Sequence, residues 1–372
     1  MVKIYGKRYS RNEIRKYIGG MFQIAGVKGF QLIDGNEYGV RGVLVKNGSG
    51  LLYTVLLDRG MDISYAEFKG IPIGWRSPTG DVSPQFFEPW KYGWLRGFYG
   101  GLLTTCGLTY AGAPCIDKGE ELGLHGRVSY IPAKNVMYDG IWVNDEYTLF
   151  VQGKVRETSM FGPNIVLNRR IETKIGCNKI TIHDRIVNEG FERQPLMVIY
   201  HFNIGFPIVD DGSRLYLTTT EYFPRDEEAY KDAENFDRFH KPIHGYKEKV
   251  YFHKMAVDSK GYAYAGIVNS RLNMGIYVRY KVSELNRFVE WKMMGEQFYV
   301  VGIEPSNCLV LGRAREREIG TLQYIEPEET REFHLEVNIM SGKEEIENFI
   351  KLIRNIVSTK PKLIDSLEKF VK

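Results

Sequence analysis

Residues 187–207 read VNEGFERQPLMVIYHFNIGFP. A turn signal, Asn188-Glu189-Gly190, leads into the uncharged run Met197 to Tyr200. His201, Phe202 and Asn203 follow, and Gly205 and Pro207 close the stretch. A short apolar run bounded by turn residues reads as a buried strand. A histidine set into such a strand is either a hydrogen-bonded core residue or a group that does chemistry. The rest of the chain has to decide between them.

Outward from this stretch the pattern is β in both directions. Residues 38–70 hold two alternating runs around Asn47-Gly48-Ser49-Gly50, a hairpin signal. Gly176-Cys177-Asn178 and Asn188-Glu189-Gly190 read as two further hairpin turns, and ETREFHLEVNIM continues the alternation. Such spacing predicts roughly 20 strands in a large antiparallel β-supersandwich. Helices are expected only at the ends. Ser10 and Glu13 match a capping box over residues 1–20, and Ser341 and Glu344 match another. Ile346, Phe349, Ile350 and Ile353 then recur at helical spacing, and KLIDSLEKFV follows Pro361. No linker or repeat interrupts the chain, so residues 1–372 read as one mainly β domain with the 341–372 helices packed on it. Two segments resist the strand reading. Residues 76–127 are rich in glycine and aromatics, as a cleft wall would be, and residues 221–248 read as a surface excursion or lid.

Composition narrows the class. A net charge of +4 over 372 residues gives no argument for nucleic acid or a membrane surface. The four cysteines lack CxxC spacing, and the charged N-terminus is no signal peptide, so the expected location is cytoplasmic. The 24 Tyr and 5 Trp supply rings for a core or for sugar stacking.

Three titratable groups sit in apolar or glycine-rich settings: His125 in GLHGR, His201, and Glu304 in FYVVGIEPSN. A carboxylate at the end of an apolar strand is costly to desolvate, so it belongs at a cleft or carries a raised pKa. Pro305 cannot donate to a ladder, which places Glu304 where pairing ends. Taken singly, each histidine reads more simply as structural, and the glutamate as a turn residue.

Taken in order, LHGR, VNEGFERQPLMVIYHFNIGFP and GIEPSN resemble the galactose mutarotase-like proteins, the aldose 1-epimerases. LDRGMDI, WLRGFYGGLLTTCGL and WKMMG extend the resemblance to a divergent branch, over roughly residues 40–340. The resemblance implies a cleft across one sheet and isomerisation without metal or organic cofactor. A base takes the proton of the anomeric hydroxyl, an acid protonates the ring oxygen, and the opened sugar recloses on the other face. Glu304 takes the role of base and His201 that of acid, with His125 bonded near the ring oxygen. Acid and base are expected to flank the sugar about 5–6 Å apart. The family's arginine before its His-Gly motif has no clear equivalent. Arg96, 29 residues before His125, competes with Arg59 and Arg127. Lys292, Asn203 and Trp291 complete the candidate substrate contacts, with Trp94 and Phe98 as further stacking rings and Asp210 and Asp211 as weaker candidates. The basic candidates allow an acidic or phosphorylated sugar.

The expected partner is a small-molecule carbohydrate, with no nucleic acid and no membrane, and a homodimer is allowed. Two other readings use the same residues. One is a metal-assisted isomerase or a lyase built on His125, His201 and Glu304. The other is a carbohydrate-binding protein without turnover.

Overall fold

The computed structural model describes residues 1–371. Three sheets carry most of the chain. An eight-stranded antiparallel sheet begins as a meander, Lys134–Val143, Glu146–Thr158, Asn164–Lys174 and Lys179–Asn188, and continues through Thr330–Ser341, Met274–Lys281, Tyr262–Asn269 and Arg214–Leu217. A seven-stranded sheet runs in the order Leu103–Leu108, Met197–Gly205, Tyr299–Ser306, Arg287–Met294, Lys249–Met255, Thr219–Pro224 and Lys362–Leu363. A five-stranded sheet, led by Gly26–Gln31, Arg41–Lys46, Leu51–Leu56 and Asp62–Phe68, closes one side.

The two large sheets differ in how they meet water. Strand Lys179–Asn188 alternates buried and more exposed residues, as expected for a sheet with one solvated face. Every residue of Met197–Gly205 and of Tyr299–Ser306 is buried. Val198, Tyr200, Phe202 and Ile204 enter the main core with Leu167, Ile182 and Leu335 of the eight-stranded sheet. Met197 and Ile199 point the other way and pack with Trp75, Trp94, Phe98 and Val300 under the segment 76–127. The unbroken apolar run of the opening stretch thus reflects cover on both faces.

Some expectations need correction. The chain leaves Asn188 for the other large sheet, so Asn188-Glu189-Gly190 is a crossover between sheets and not a hairpin turn. Gly176-Cys177-Asn178 does join a hairpin. The Ser10/Glu13 capping box forms at helix Arg11–Arg15. The second one does not: Ser341 ends a strand, Gly342 precedes helix Lys343–Ile356, and the Glu345 carboxylate accepts from the Ser341 N–H. Gly342 takes φ 104°, which a serine would resist. KLIDSLEKFV divides into a two-residue parallel strand on Thr219–Pro224 and helix Leu367–Val371. The segment 76–127 contains strand Leu103–Leu108, an edge of the seven-stranded sheet.

One buried cation ties the sheets together. The Arg169 guanidinium donates to both oxygens of Asp184, to Asp62 Oδ1 at 2.6 Å, to the Gly60 carbonyl and to Thr105 Oγ1. Asp184 also accepts from the Tyr200 hydroxyl at 2.7 Å. Arg169 and Asp184 belong to the eight-stranded sheet, Asp62 to the five-stranded one, and Thr105 and Tyr200 to the seven-stranded one. The Arg169, Asp62 and Asp184 side chains have no exposed area. Replacing Arg169 by methionine leaves two buried carboxylates without their cation. We expect a loss of about 3–5 kcal/mol, the usual cost of removing one partner from a buried ion pair. Urea unfolding checks this, and a loss under ~1 kcal/mol would show that the carboxylates are neutralised some other way.

Candidate active site

Strands Met197–Gly205 and Tyr299–Ser306 run antiparallel, with Phe202 opposite Ile303 and Ile199 opposite Ser306. That register sets His201 opposite Glu304. Period two then sends both side chains to the face away from the main core. His201 Nε2 lies 3.2 Å from Glu304 Oε1. The residues expected as acid and base are therefore neighbours on one sheet surface and do not face each other across a ring-wide gap, which corrects the 5–6 Å expectation. Glu304 also does not mark the end of pairing. Its strand continues through Pro305 to Ser306, and Pro305 still faces Phe288 on the strand beyond.

The segment 76–127 forms the wall. His125 holds a left-handed backbone, φ 57°, and donates its N–H to the Gly112 carbonyl at 2.9 Å. Gly126 follows because a Cβ there would come within 2.3 Å of the Gly107 carbonyl oxygen. This fixes the His125 ring 4.8 Å from Trp94 and 6.1 Å from His201, centre to centre. Phe98 and Trp291 flank His201 at 5.5 and 5.4 Å. Together these side chains enclose a cavity of ≈ 380 Å³, with His125, His201 and Glu304 among its lining.

The basic candidates fall elsewhere. Arg59 is fully buried, and its three nitrogens donate to the Ser129, Val82 and Gly97 carbonyls; it braces the wall from behind. Arg96 is exposed and pairs with Glu88 at 3.1 Å. Arg127 is exposed, its guanidinium above the Phe87 ring and outside the cavity lining. Lys292 follows Trp291, so it points to the opposite face of the sheet, where its Nζ donates to the Asn235 carbonyl at 2.7 Å and meets Asp232 at 3.3 Å. Asn203 is buried and ties the Gly100 and His201 carbonyls without lining the cavity. Of the weaker candidates, Asp210 pairs with Arg271 and lies outside the lining, as does Asp211.

The arginine that does line the cavity is Arg225, at the start of the polar segment 221–248. It pairs with Asp226 at 2.8 Å and with Glu248 at 3.0 Å, and Glu248 accepts from Trp291 Nε1 at 2.8 Å. Composition alone marked this segment as an excursion. Only its two ends reach the site. Gly302, on the Glu304 strand itself, was missed as well: a Cβ there would sit 2.5 Å from Glu304 Oε1 and 3.1 Å from His201 Cε1. The glycine two residues before the glutamate was its signal.

Burial dominates the electrostatics. It pushes the His201 imidazole down to about 3, with His125 adding to the shift, and His125 down to about 4. It raises the Glu304 carboxyl well above the usual range; Glu248 adds to this and Arg225 opposes it. Glu304 Oε1, His201 Nδ1 and His125 Nδ1 are buried without a hydrogen-bond partner. Buried polar atoms rarely stay unpaired, so three of them on residues lining one cavity single it out as the candidate site. The arrangement is suited to moving one proton between neighbouring oxygens. A shared metal fits it less well. Among the described residues one trio of His, Cys, Asp or Glu brings its donors within 4.8 Å of one another, and it lies elsewhere.

Residues 37–339 match the model of a family described as Domain of unknown function (DUF4432). No curated protein matches the chain. Among solved structures, it is similar to a Klebsiella pneumoniae protein provisionally assigned as an aldose 1-epimerase, with TM-score 0.88 and 23% identity over 91% of this chain and 90% of that one. It is also similar to a galactose mutarotase-like protein from Clostridium acetobutylicum, with TM-score 0.57 and 15% identity over 85% and 98% of the two chains. A galactose 1-epimerase from Lactobacillus acidophilus matches with TM-score 0.58 and 12% identity over 85% and 99%. At these identities the likeness establishes the fold, which is galactose mutarotase-like.

Two outcomes follow from the site. Gly302→Ala crowds the dyad and lowers stability by about 1–3 kcal/mol, the usual range for overpacking. It also moves the His201 ring resonances in NMR; unmoved resonances would mean that the Glu304 carboxyl yields freely. The second outcome concerns pH. Unfolded histidines take a proton near pH ~6.5, but in the fold His125 and His201 stay neutral down to about 4 and 3. The unfolded state thus binds more protons within that window, and stability falls as pH drops through it. Glu304 works the other way, its contribution fading as pH rises past the ordinary carboxylate range. The double variant His125→Asn/His201→Asn should flatten the fall in Tm between about pH 6.5 and 4. An unchanged slope would show that both rings titrate normally.

Proposed function

Because the chain belongs to the DUF4432 family, whose description leaves function open, its activity is read from the cleft, and we propose an aldose 1-epimerase-like isomerase that interconverts the anomers of a neutral sugar. The observation that carries this reading is the His201–Glu304 contact of 3.2 Å on the floor of a ring-lined cavity, with unpaired buried atoms on both residues. The two oxygens on an anomeric carbon are themselves neighbours, so adjacent donor and acceptor groups suit the hemiacetal.

The dyad holds one mobile proton. Burial favours the neutral pair, with that proton on Glu304. The order implied by the family resemblance starts from the same proton moved to His201. Glu304 then takes the O1 proton while His201 protonates the ring oxygen, and the C1–O5 bond opens. Rotation about C1–C2 presents the other face of the aldehyde. Closure returns both protons, so the enzyme ends as it began. His125 offers a neutral ring nitrogen to the ring oxygen or an adjacent hydroxyl.

A neutral substrate is favoured by the charge arrangement. Among the described residues, Arg225 is the cation lining the cavity, and two carboxylates already engage it. The arginines and lysine that argued for an acidic or phosphorylated sugar stand outside. Trp94, Phe98 and Trp291 offer apolar faces to the C–H side of a pyranose.

The test is NMR exchange or polarimetry on pure anomers of neutral aldoses, with uronates and sugar phosphates alongside. Glu304→Gln and His201→Ala should each lower the rate by about 10²–10⁴-fold while circular dichroism stays unchanged. Activity surviving both changes would refute the assignment. Sugar binding without any rate above buffer would make the chain a carbohydrate-binding protein.

A further inference from the structure

On the outer face of the eight-stranded sheet, His183 and His334 stand directly opposite each other on paired strands. Their rings stack with centres 4.2 Å apart and planes 19° from parallel. Glu332, two residues before His334, shares that face, and its Oε2 lies 3.7 Å from His183 Nε2. One donor atom from each of the three residues lies within 4.8 Å of the other two.

The neighbours orient these donors. Glu284 receives the His334 backbone N–H at 2.7 Å and holds ring Nδ1 at 3.1 Å, which leaves Nε2 as that ring's free donor. A carboxylate on the far nitrogen is the usual outer partner of a metal-binding imidazole. Arg185 engages Glu332 through Oε1 at 3.2 Å and leaves Oε2 free. His183 Nε2 is buried and has no hydrogen-bond partner. The proposed use of the cleft employs none of these residues.

We infer that His183, His334 and Glu332 form a binding site for a divalent transition metal of the zinc class, open on its solvent side. Two imidazoles and one carboxylate are the donors such ions prefer, and Mg²⁺ or Ca²⁺ would want more oxygens. Zn–N bonds of about 2.0–2.1 Å require the rings to tilt out of their stack. Both rings are near two-fifths exposed, so each has room to turn. The bound ion would clamp strand Lys179–Asn188 to strand Thr330–Ser341.

Calorimetric titration of untagged protein with ZnCl₂ tests this, alongside unfolding with and without the metal. We expect one saturable site per chain and a higher Tm in its presence. His183→Asn, His334→Asn and Glu332→Gln should each weaken binding more than tenfold, and Glu284→Gln by about 10–100-fold. The His125→Asn/His201→Asn variant should bind as the wild type does, which separates this site from the cleft. Metal-free unfolding of His183→Asn, His334→Asn and Glu332→Gln should match the wild type, as expected for half-exposed side chains on the sheet surface. No saturable binding, binding unchanged in the His183→Asn/His334→Asn double variant, or loss confined to the cleft variant would each overturn the proposal. The reading stands or falls independently of anomer exchange.

Discussion

The Arg169 guanidinium is the constraint on which the architecture depends. It satisfies acceptors from all three sheets at zero exposure, and two of them are carboxylates. Burial on its own raises Asp62, and Arg169 is the first influence opposing that rise. Such a cluster adds little net stability compared with an apolar core, but it admits few alternative arrangements. Thr105 and Tyr200 belong to it, and in the strand register Thr105 pairs with Tyr200 and Thr104 with His201. The lock therefore sits one residue from the candidate acid, on the opposite face of the same strand.

That position explains how the cleft can keep unpaired polar atoms. Holding His201 and Glu304 in a desolvated setting costs free energy, and strands free to shift would let them find water or each other in a better geometry. Here both strands are covered on both faces. The inner face is fixed by the Arg169 cluster and the main core, and the outer by the wall that Arg59 braces. Strain concentrates at the same place: His125 holds a left-handed backbone against the crowded Gly126.

How much of this was legible in the sequence depended on range. Alternation along Lys179–Asn188 and the turn Gly176-Cys177-Asn178 are local signals, and they read correctly. The three groups His125, His201 and Glu304 were also legible, because a titratable residue in an apolar strand is conspicuous. Their contact distance was not, since it follows from a register between residues about a hundred positions apart. Lys292 misled because parity along a strand was not tied to a face until Trp291 was seen in the cleft. Arg59 misled because an arginine can spend every donor on backbone carbonyls, and nothing in LDRGMD announces that. Arg225 was passed over because a polar stretch reads as a surface excursion, although its ends reach the cavity and Ala229, Ala233, Phe236 and Phe239 enter the main core. The second capping box failed on competition: Ser341 was claimed by a strand, and Gly342 made the turn.

The corrected charge map has a chemical consequence of its own. With Arg59, Arg96, Arg127 and Lys292 outside, the cavity keeps polarity at two places, the dyad with His125 and the Arg225–Glu248–Trp291 chain. Rings and aliphatic side chains supply most of the remaining surface. A ligand that bonds at both places must carry hydroxyls around its edge and present an apolar face to the rings. An aldose in its ring form has that distribution. On the proposed reading, the Arg225–Glu248 pair is a second polar contact for such a ligand besides the dyad. The same carboxylate, Glu248, helps to raise Glu304. A ligand hydroxyl that drew Glu248 toward itself would ease that influence and favour the ionised Glu304 that the proposed reaction calls for.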